Sequence, residues 1–302
     1  MIAVTGANGD LGIRLLKTLK ASGPTRIRAL VRSEPARKRV QNELVSGVDI
    51  QIVDYRNVDS FSRGIAGCSA IVNLVGTIYG SKGSPYQGAN EDVVDNLLKS
   101  ARNLTDPYII QVSIVGANEK SNNDCLSSRG RSDAKLLQTW KKSLILRAPM
   151  VLFPGGPSAL ALRRRANGWE FWMGNGSNLE QPLDDRDLFS AIEKAISRPS
   201  VLRGDYDLVG PETVRYSELV ARAAEFLNTK PRPIIIPSSL IRFVALLGEK
   251  LFENPPITKD MIDIFLYNSH HDSSPLCKAL ELKLRDLDAT LEYSLSEETN
   301  YS

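Results

Sequence analysis

Three glycines at positions 6, 9 and 12, within Thr5-Gly6-Ala7-Asn8-Gly9-Asp10-Leu11-Gly12, carry the clearest chemistry in the sequence. Gly6 permits a tight turn, Gly9 lets the backbone approach a pyrophosphate with no Cβ between, and Gly12 lets the following helix pack closely on a strand. The amides at the start of that helix then face the phosphates. This is binding chemistry, the holding of a dinucleotide by its diphosphate, and it requires a strand before the turn and a helix after it. Ile2, Ala3 and Val4 supply the strand, and Leu11, Leu15, Leu16 and Leu19 recur at helical spacing.

Further along, short apolar strands are expected at 27–31, 49–53, 70–75, 108–112 and 143–146, separated by helical segments. One of these helices carries Val93, Val94, Leu97, Leu98 and Ala101 on one face. Strands that are apolar throughout and alternate with helices predict an α/β fold, a doubly wound parallel sheet covered on both faces. The pattern then changes: Phe153-Pro154-Gly155-Gly156-Pro157 is loop, and 168–183 is rich in Gly, Trp and Asn. The expected division is a Rossmann domain over 1–150, to which 185–210 returns as a helix and a strand. A smaller, interleaved C-terminal α/β lobe takes 151–184 and 211–302, with helices at 217–227 and 240–252 and an extended Ile234-Ile235-Ile236.

Composition narrows the function classes. The 302 residues are 42% hydrophobic and 24% charged, enough for a full core, and a net charge of +3 with no nucleic-acid motif gives no reason to expect a nucleic-acid partner. Cys68, Cys125 and Cys277 are odd in number and far apart, so neither a disulfide framework nor a metal site is expected. His270 and His271, without partners at ligand spacing, read as surface residues. No apolar run approaches a membrane span. A strand that begins at residue 1 or 2 leaves no room ahead of it for a leader, and the expected compartment is the cytoplasm.

The glycine spacing and several later segments resemble the short-chain dehydrogenase/reductase superfamily in its extended and atypical branches, over nearly the whole chain. The matching residues are the turn, Asp54, Asn73-Leu74-Val75-Gly76, Asn90, Ser113, Lys135 and Arg147-Ala148-Pro149, followed by Gly174-Asn175-Gly176 and Gln181-Pro182-Leu183-Asp184-Asp185. The chain is most similar to the atypical members that include the NmrA-like proteins and the NADPH-holding accessory subunit of respiratory complex I. It also resembles the NAD-dependent epimerases and dehydratases. The resemblance implies cofactor contacts from Gly6, Ala7, Asn8, Gly9, Asp10, Leu11, Gly12, Arg32, Asp54, Val75, Gly76, Ser113 and Lys135. It also implies a C-terminal region that closes over the substrate.

Arg32 stands after Leu30-Val31, where an NAD-binding chain has a carboxylate for the adenosine ribose. A guanidinium there suits a 2′-phosphate, so NADP(H) is expected over NAD(H). Arg37, Lys38 and Arg39 add positive potential or form a solvated helix face. Asp54 either receives the adenine amino group, as the resemblance implies, or caps a local turn.

Members of the superfamily pair a proton-handling tyrosine with a lysine one helical turn later. Here Lys135 is present, but Arg131 stands in place of the tyrosine, and an arginine does not give up a proton near neutral pH. Two readings are open. In one, this is an oxidoreductase or epimerase-like enzyme on a small or nucleotide-linked carbonyl or alcohol. Lys135, Ser113 and Tyr79 are then its candidate catalytic residues, with Tyr86 as a second loop tyrosine and Arg129 and Arg131 as oxyanion partners. In the other, the protein is a non-catalytic NADPH-binding subunit or redox sensor.

Arg163, Arg164 and Arg165 before Trp169, Phe171, Trp172 and Met173 either grip a phosphorylated substrate or form a solvated helix end followed by core aromatics. Asp184, Asp185 and Asp187 read as structural, at a helix start. The segment 240–252 is more apolar than a surface helix needs. It is either core of the small lobe or an exposed face for a peripheral membrane or protein partner. An exposed face favours the subunit reading, and a buried one favours the enzyme.

Overall fold

The computed structural model describes residues 1–23, 25–44, 47–79, 86–199, 202–252 and 255–296. In chain order, β1 (Ile2–Thr5), α1 (Asp10–Ala21), β2 (Ile27–Val31), α2 (Glu34–Glu43), β3 (Val48–Ile52), α3 (Val58–Ile65) and β4 (Ala70–Asn73) alternate. A π-helical turn at Gln87–Glu91 leads into α4 (Asp92–Ala101), followed by β5 (Tyr108–Ile114), α5 (Asp124–Thr139) and β6 (Ser143–Ala148). Next come β7 (Val151–Leu152), α6 (Pro157–Ala166), β8 (Gly168–Met173), β9 (Leu179–Glu180), β10 (Leu183–Asp184), α7 (Asp185–Ser197) and β11 (Gly204–Asp207). The chain finishes with β12 (Val214–Arg215), α8 (Tyr216–Phe226), β13 (Pro231–Ile236), α9 (Ser238–Leu251), α10 (Lys259–Phe265), α11 (Ser274–Leu280) and α12 (Leu287–Leu295).

Seven strands form one sheet in the order β11-β6-β5-β4-β1-β2-β3, with parallel pairing from β3 through β2, β1 and β4 to β5. This is the doubly wound Rossmann arrangement. Its strand order reverses between β1 and β4, the place where such sheets open a ligand crevice beyond the strand ends. The strands form because β1, β2 and β4 are buried almost throughout, as continuous apolar runs in a covered parallel sheet must be. α1 buries Ile13, Leu15, Leu16 and Leu19. Asn57 and Asn123 cap the first turns of α3 and α5 through their side-chain oxygens.

Two compact units divide the chain. The first takes the described residues of 1–78, 84–147 and 189–206; the second takes those of 79–83, 148–188 and 207–302. Each has its own core. Leu30, Phe61, Ile71, Leu97, Ile109 and Ile145 are among the first, and Leu162, Trp172, Leu219, Val220, Leu287 and Leu291 among the second. In the second unit β13 lies parallel to β8, β12 pairs antiparallel with β9, and β10 pairs parallel with β7. Among the described residues no helix is long and apolar enough to cross a membrane, and no cluster of metal-ligating side chains occurs.

Candidate dinucleotide site

The glycine turn leaves β1 and enters α1. Gly6 has a φ of 66°, the left-handed region that favours glycine. A Cβ there would stand 3.3 Å from the backbone of Leu74 and Val75, the segment after β4. A Cβ on Gly12 would lie 2.5 Å from the Gly6 carbonyl oxygen and 2.9 Å from Ala7 Cα. Those are backbone atoms that cannot swing aside, so the third glycine is what lets α1 sit this close to the turn. Ala7 is buried and Asn8 half-buried.

Not every amide in the turn remains open. The Gly9 N–H donates to the Gly6 carbonyl at 3.0 Å, and the Gly6 N–H donates to the Tyr55 hydroxyl at 3.1 Å. That hydroxyl donates in turn to the Leu30 carbonyl at 2.7 Å. Burial pushes the Tyr55 phenol up to about 12. Gly9, at the N-cap of α1, brings no side chain over the helix start, so the amides of Asp10, Leu11 and Gly12 keep the orphan character of a first helical turn. These residues fit a dinucleotide diphosphate. Asp10 adds a negative charge nearby, which the Arg39 guanidinium neutralises at 2.6 Å.

Arg32 directly follows β2, is exposed, and holds no ion pair among the described residues. Lys38 is exposed, and Arg37 pairs with Glu34. Asp54 turns back on its own loop: its carboxylate accepts from the Arg56 N–H at 3.0 Å and lies 3.5 Å from Arg56 Nε.

After β4 the chain passes through Val75 and Gly76. A Cβ on Gly76 would stand 1.6 Å from Arg129 Nη2, so this glycine makes way for a guanidinium of the same protein. Arg129 is buried. Its Nη1 donates to the Val75 carbonyl at 3.3 Å, and its Nε has no hydrogen-bond partner among the described residues. Burial pulls its pKa down against the opposing pull of Asp133.

Ser113, a candidate catalytic and cofactor-contacting residue at the end of β5, is buried with its proton directed at Asp133 Oδ2, 2.8 Å away. Asp133 Oδ1 also accepts from Gln111 at 2.7 Å. Gln111 accepts from Asn73 at 3.0 Å, and Asn73 accepts from Thr5 at 2.6 Å. A buried polar chain therefore links β1, β4 and β5 to α5. Burial raises the Asp133 carboxyl, while Ser113, Gln111, Arg129 and Arg147 pull it back.

The other face of α5 holds a two-rung ladder. Arg131 Nε and Nη2 fork onto Glu91 at 2.9 and 2.8 Å, and Ser128 donates to the same carboxylate at 2.8 Å. One turn on, the Lys135 ammonium pairs with Asp95. The Arg131 hydrogen bonds hold Glu91 below the usual carboxylate range. Thus Ser113 and Lys135 lie on the same unit but point to different partners. Tyr79 is exposed at the border of residues 80–85, which lie outside the described residues, and Tyr86 is buried. Tyr55, Gln111 and Asp133 are the residues that sequence reasoning missed as organisers of the site, and Arg129, expected as an oxyanion partner, is instead buried against the turn after β4. Gln111 interrupts the apolar run of β5, which was the available signal; Asp133 lies in the largely polar α5 and carried none.

In the second unit, His270 is exposed, but His271 is half-buried, contrary to expectation. Its Nδ1 meets Asp207 at 2.8 Å and its ring stacks on Tyr267. Asp184 and Asp187 are buried at the start of α7, held by Arg186 and Arg285. Arg163 donates to the Leu295 carbonyl, and Arg165 lies over Tyr216. Trp172 is core, whereas Trp169 and Phe171 are exposed.

Sheet order, glycine turn and helix start together define a Rossmann-like α/β protein, a sheet flanked by helices of the kind found in the epimerases and short-chain dehydrogenases/reductases. Residues 6–143 match the family described as NAD(P)H-binding, and the chain carries that domain. Over 300 residues it is 23% identical to the mitochondrial NADH dehydrogenase [ubiquinone] 1 alpha subcomplex subunit 9 of Arabidopsis thaliana, covering 94% of this chain and 73% of the relative. It is 26% identical to the ceramide reductase of Caulobacter vibrioides over 242 residues, covering 78% and 74%. Among solved structures it is similar to UDP-glucuronic acid 4-epimerase from Bacillus cereus, with a TM-score of 0.74, 17% identity and 97% of each chain covered. At that identity the likeness concerns the fold alone.

Proposed function

We propose that the protein holds NADP(H) at the glycine turn without turning it over by the tyrosine-and-lysine route, as a nucleotide-holding subunit or redox sensor. The observation that carries this is the ladder on α5. Where a proton-handling tyrosine and its lysine are expected, Arg131 and Lys135 are tied to Glu91 and Asp95. A guanidinium gives up no proton near neutral pH, and here it is held by two hydrogen bonds to one carboxylate. When bound, the nicotinamide would supply a hydride-exchanging carbon, and this chain presents no tyrosine on α5 to move the accompanying proton. NADP(H) rather than NAD(H) is supported by the exposed Arg32 after β2. Similarity to a subunit named for NADH dehydrogenase is in keeping with a holding role.

One observation favours a second reading, an oxidoreductase or epimerase-like enzyme on a small or nucleotide-linked carbonyl or alcohol. The Ser113–Asp133 pair is a buried hydroxyl on a carboxyl whose affinity for protons is raised by burial, a pair able to handle a proton. Similarity to a protein named ceramide reductase is in keeping with it.

Fluorescence titration with NADPH and NADH, followed by single-turnover NADPH oxidation against ketones, aldehydes and nucleotide sugars, tests both. The expected result is tighter NADPH binding and no oxidation. Tighter NADH binding overturns the role given to Arg32. Turnover that survives Arg131→Ala but collapses in Ser113→Ala or Tyr79→Phe overturns the holding role in favour of the enzyme.

A further inference from the structure

Most of the large exposed apolar side chains of the described residues fall on β8, β13 and α9 of the second unit. α9 reverses the usual arrangement of a surface helix. Ala245 is buried and Ile241 half-buried, while Leu240, Phe243, Val244, Leu247 and Leu251 are between 44% and 75% exposed. Steps of three and four residues put these five on one stripe, and the stripe faces out. The two-stranded sheet before the helix continues it. Its register sets Trp169 beside Arg232 and Phe171 beside Ile234, neighbours that share a sheet face. Trp169 and Phe171 are 68% and 62% exposed. Only Pro237 separates β13 from α9, so the two apolar surfaces adjoin along the chain. Soluble monomers rarely leave so continuous an apolar surface bare.

Charge decides what covers it. Between residues 230 and 252 the basic side chains are Lys230, Arg232, Arg242 and Lys250, against the single acid Glu249. Arg242 is matched by Asp263 across to α10, and the Glu249 carboxylate accepts the Lys259 N–H at 2.7 Å. The Arg232 guanidinium lies 5.7 Å from the centre of the Trp169 ring, a cation and an indole side by side at the end of the strands. Apolar side chains bordered by cations and an amphipathic aromatic are the composition that settles at the level of lipid headgroups. A second copy of this chain would set one cationic border against another, which is unfavourable. At 14 residues, α9 is about 21 Å long, too short to cross a hydrocarbon core of about 30 Å.

We propose that the β8–β13 sheet face and the outer stripe of α9 form a docking surface for an anionic lipid bilayer, with Leu240, Phe243 and Leu247 entering the acyl boundary and Arg232 at the headgroups. The surface uses none of the residues of the glycine turn, so vesicle binding is measured without nucleotide, and its outcome leaves the holding role untouched. Full-length protein is floated with vesicles of phosphatidylcholine alone and of phosphatidylcholine mixed with phosphatidylglycerol, over a salt series. The expected result is binding to the mixed vesicles that weakens with salt. It falls about tenfold or more in the double variant Phe243→Ser/Leu247→Ser, with NADPH affinity unchanged. Arg232→Glu, which leaves the helix intact, weakens binding to the mixed vesicles and carries the test if the double variant does not fold. No vesicle binding, equal binding to both vesicles, or full retention by the variants overturns the proposal. Dimerisation seen by light scattering that the double variant abolishes, without vesicle binding, overturns it in favour of a second copy.

Discussion

Glu180, on β9, is an acid that the fold holds in its neutral form. Burial pushes its carboxyl from 4.5 up to about 8, and the hydrogen bond from Asn178 offsets only part of that. The folded chain therefore keeps a proton that the unfolded chain releases between those two values. Stability falls as pH rises through that window and levels off above it. The shift corresponds to a loss on the order of 3–5 kcal/mol. Urea midpoints followed from pH 5 to 9 are expected to show this decline in the parent and not in Glu180→Gln, which becomes the more stable of the two at the alkaline end. Parallel curves for the two proteins would assign the decline elsewhere. Little of this was legible from sequence, because a glutamate in a two-residue strand carries no mark of its burial. The same holds for Arg129: a cation next to a glycine in helix α5 looks solvated until the turn after β4 is folded over it.

Among the elements, α1 and its turn set the demand on geometry. Gly12→Ala drives a Cβ to 2.5 Å from one backbone atom and 2.9 Å from others, so α1 must move away from the turn. The expected cost is about 1–3 kcal/mol of stability, with weaker NADPH binding, read by chemical unfolding and titration. Gly9→Ala meets only the Gly6 carbonyl oxygen, at 3.3 Å, and is expected to lose less. A Gly12→Ala protein as stable as the parent would show that the close approach is not required. These elements were readable in the sequence because their signals are local: an apolar strand, glycines at fixed spacing, leucines at helical period. The pairing of β13 with β8 and of β12 with β9 was not, since short strands meet over long separations with no local cue. α9 shows the limit of periodicity most directly. The stripe of Leu240, Phe243, Val244 and Leu247 has the same spacing whether it faces a core or the outside.

At the scale of the whole molecule, two units with separate cores share one chain, and Trp140 reports on the first while Trp169 and Trp172 report on the second. A ligand held by the glycine turn stabilises the unit that binds it, by about 2.7 kcal/mol at a hundredfold excess over its dissociation constant. NADP⁺ is expected to raise the unfolding midpoint of a variant keeping only Trp140 by more than that of a variant keeping only Trp169 and Trp172. Equal shifts would mean that the chain unfolds as one cooperative body. The division expected at residues 150 and 151 was read from the change in composition at the 153–157 loop, and the second unit begins close by, at Ala148, whereas which residues of the 185–210 segment return to the sheet depends on long-range contacts.

The phenol oxygen of Tyr55 has a further consequence. It fastens the turn after β1 to the carbonyl of Leu30, two positions before Arg32, and does so without using the side chain at position 32. The frame is thus insulated from the side chain proposed to choose between phosphorylated and plain adenosine. With Arg32 in that proposed role, a single codon change at 32 would redirect coenzyme preference while the scaffold stays as it is, so descendants of this protein would exchange one nucleotide pool for the other without passing through an unfolded ancestor.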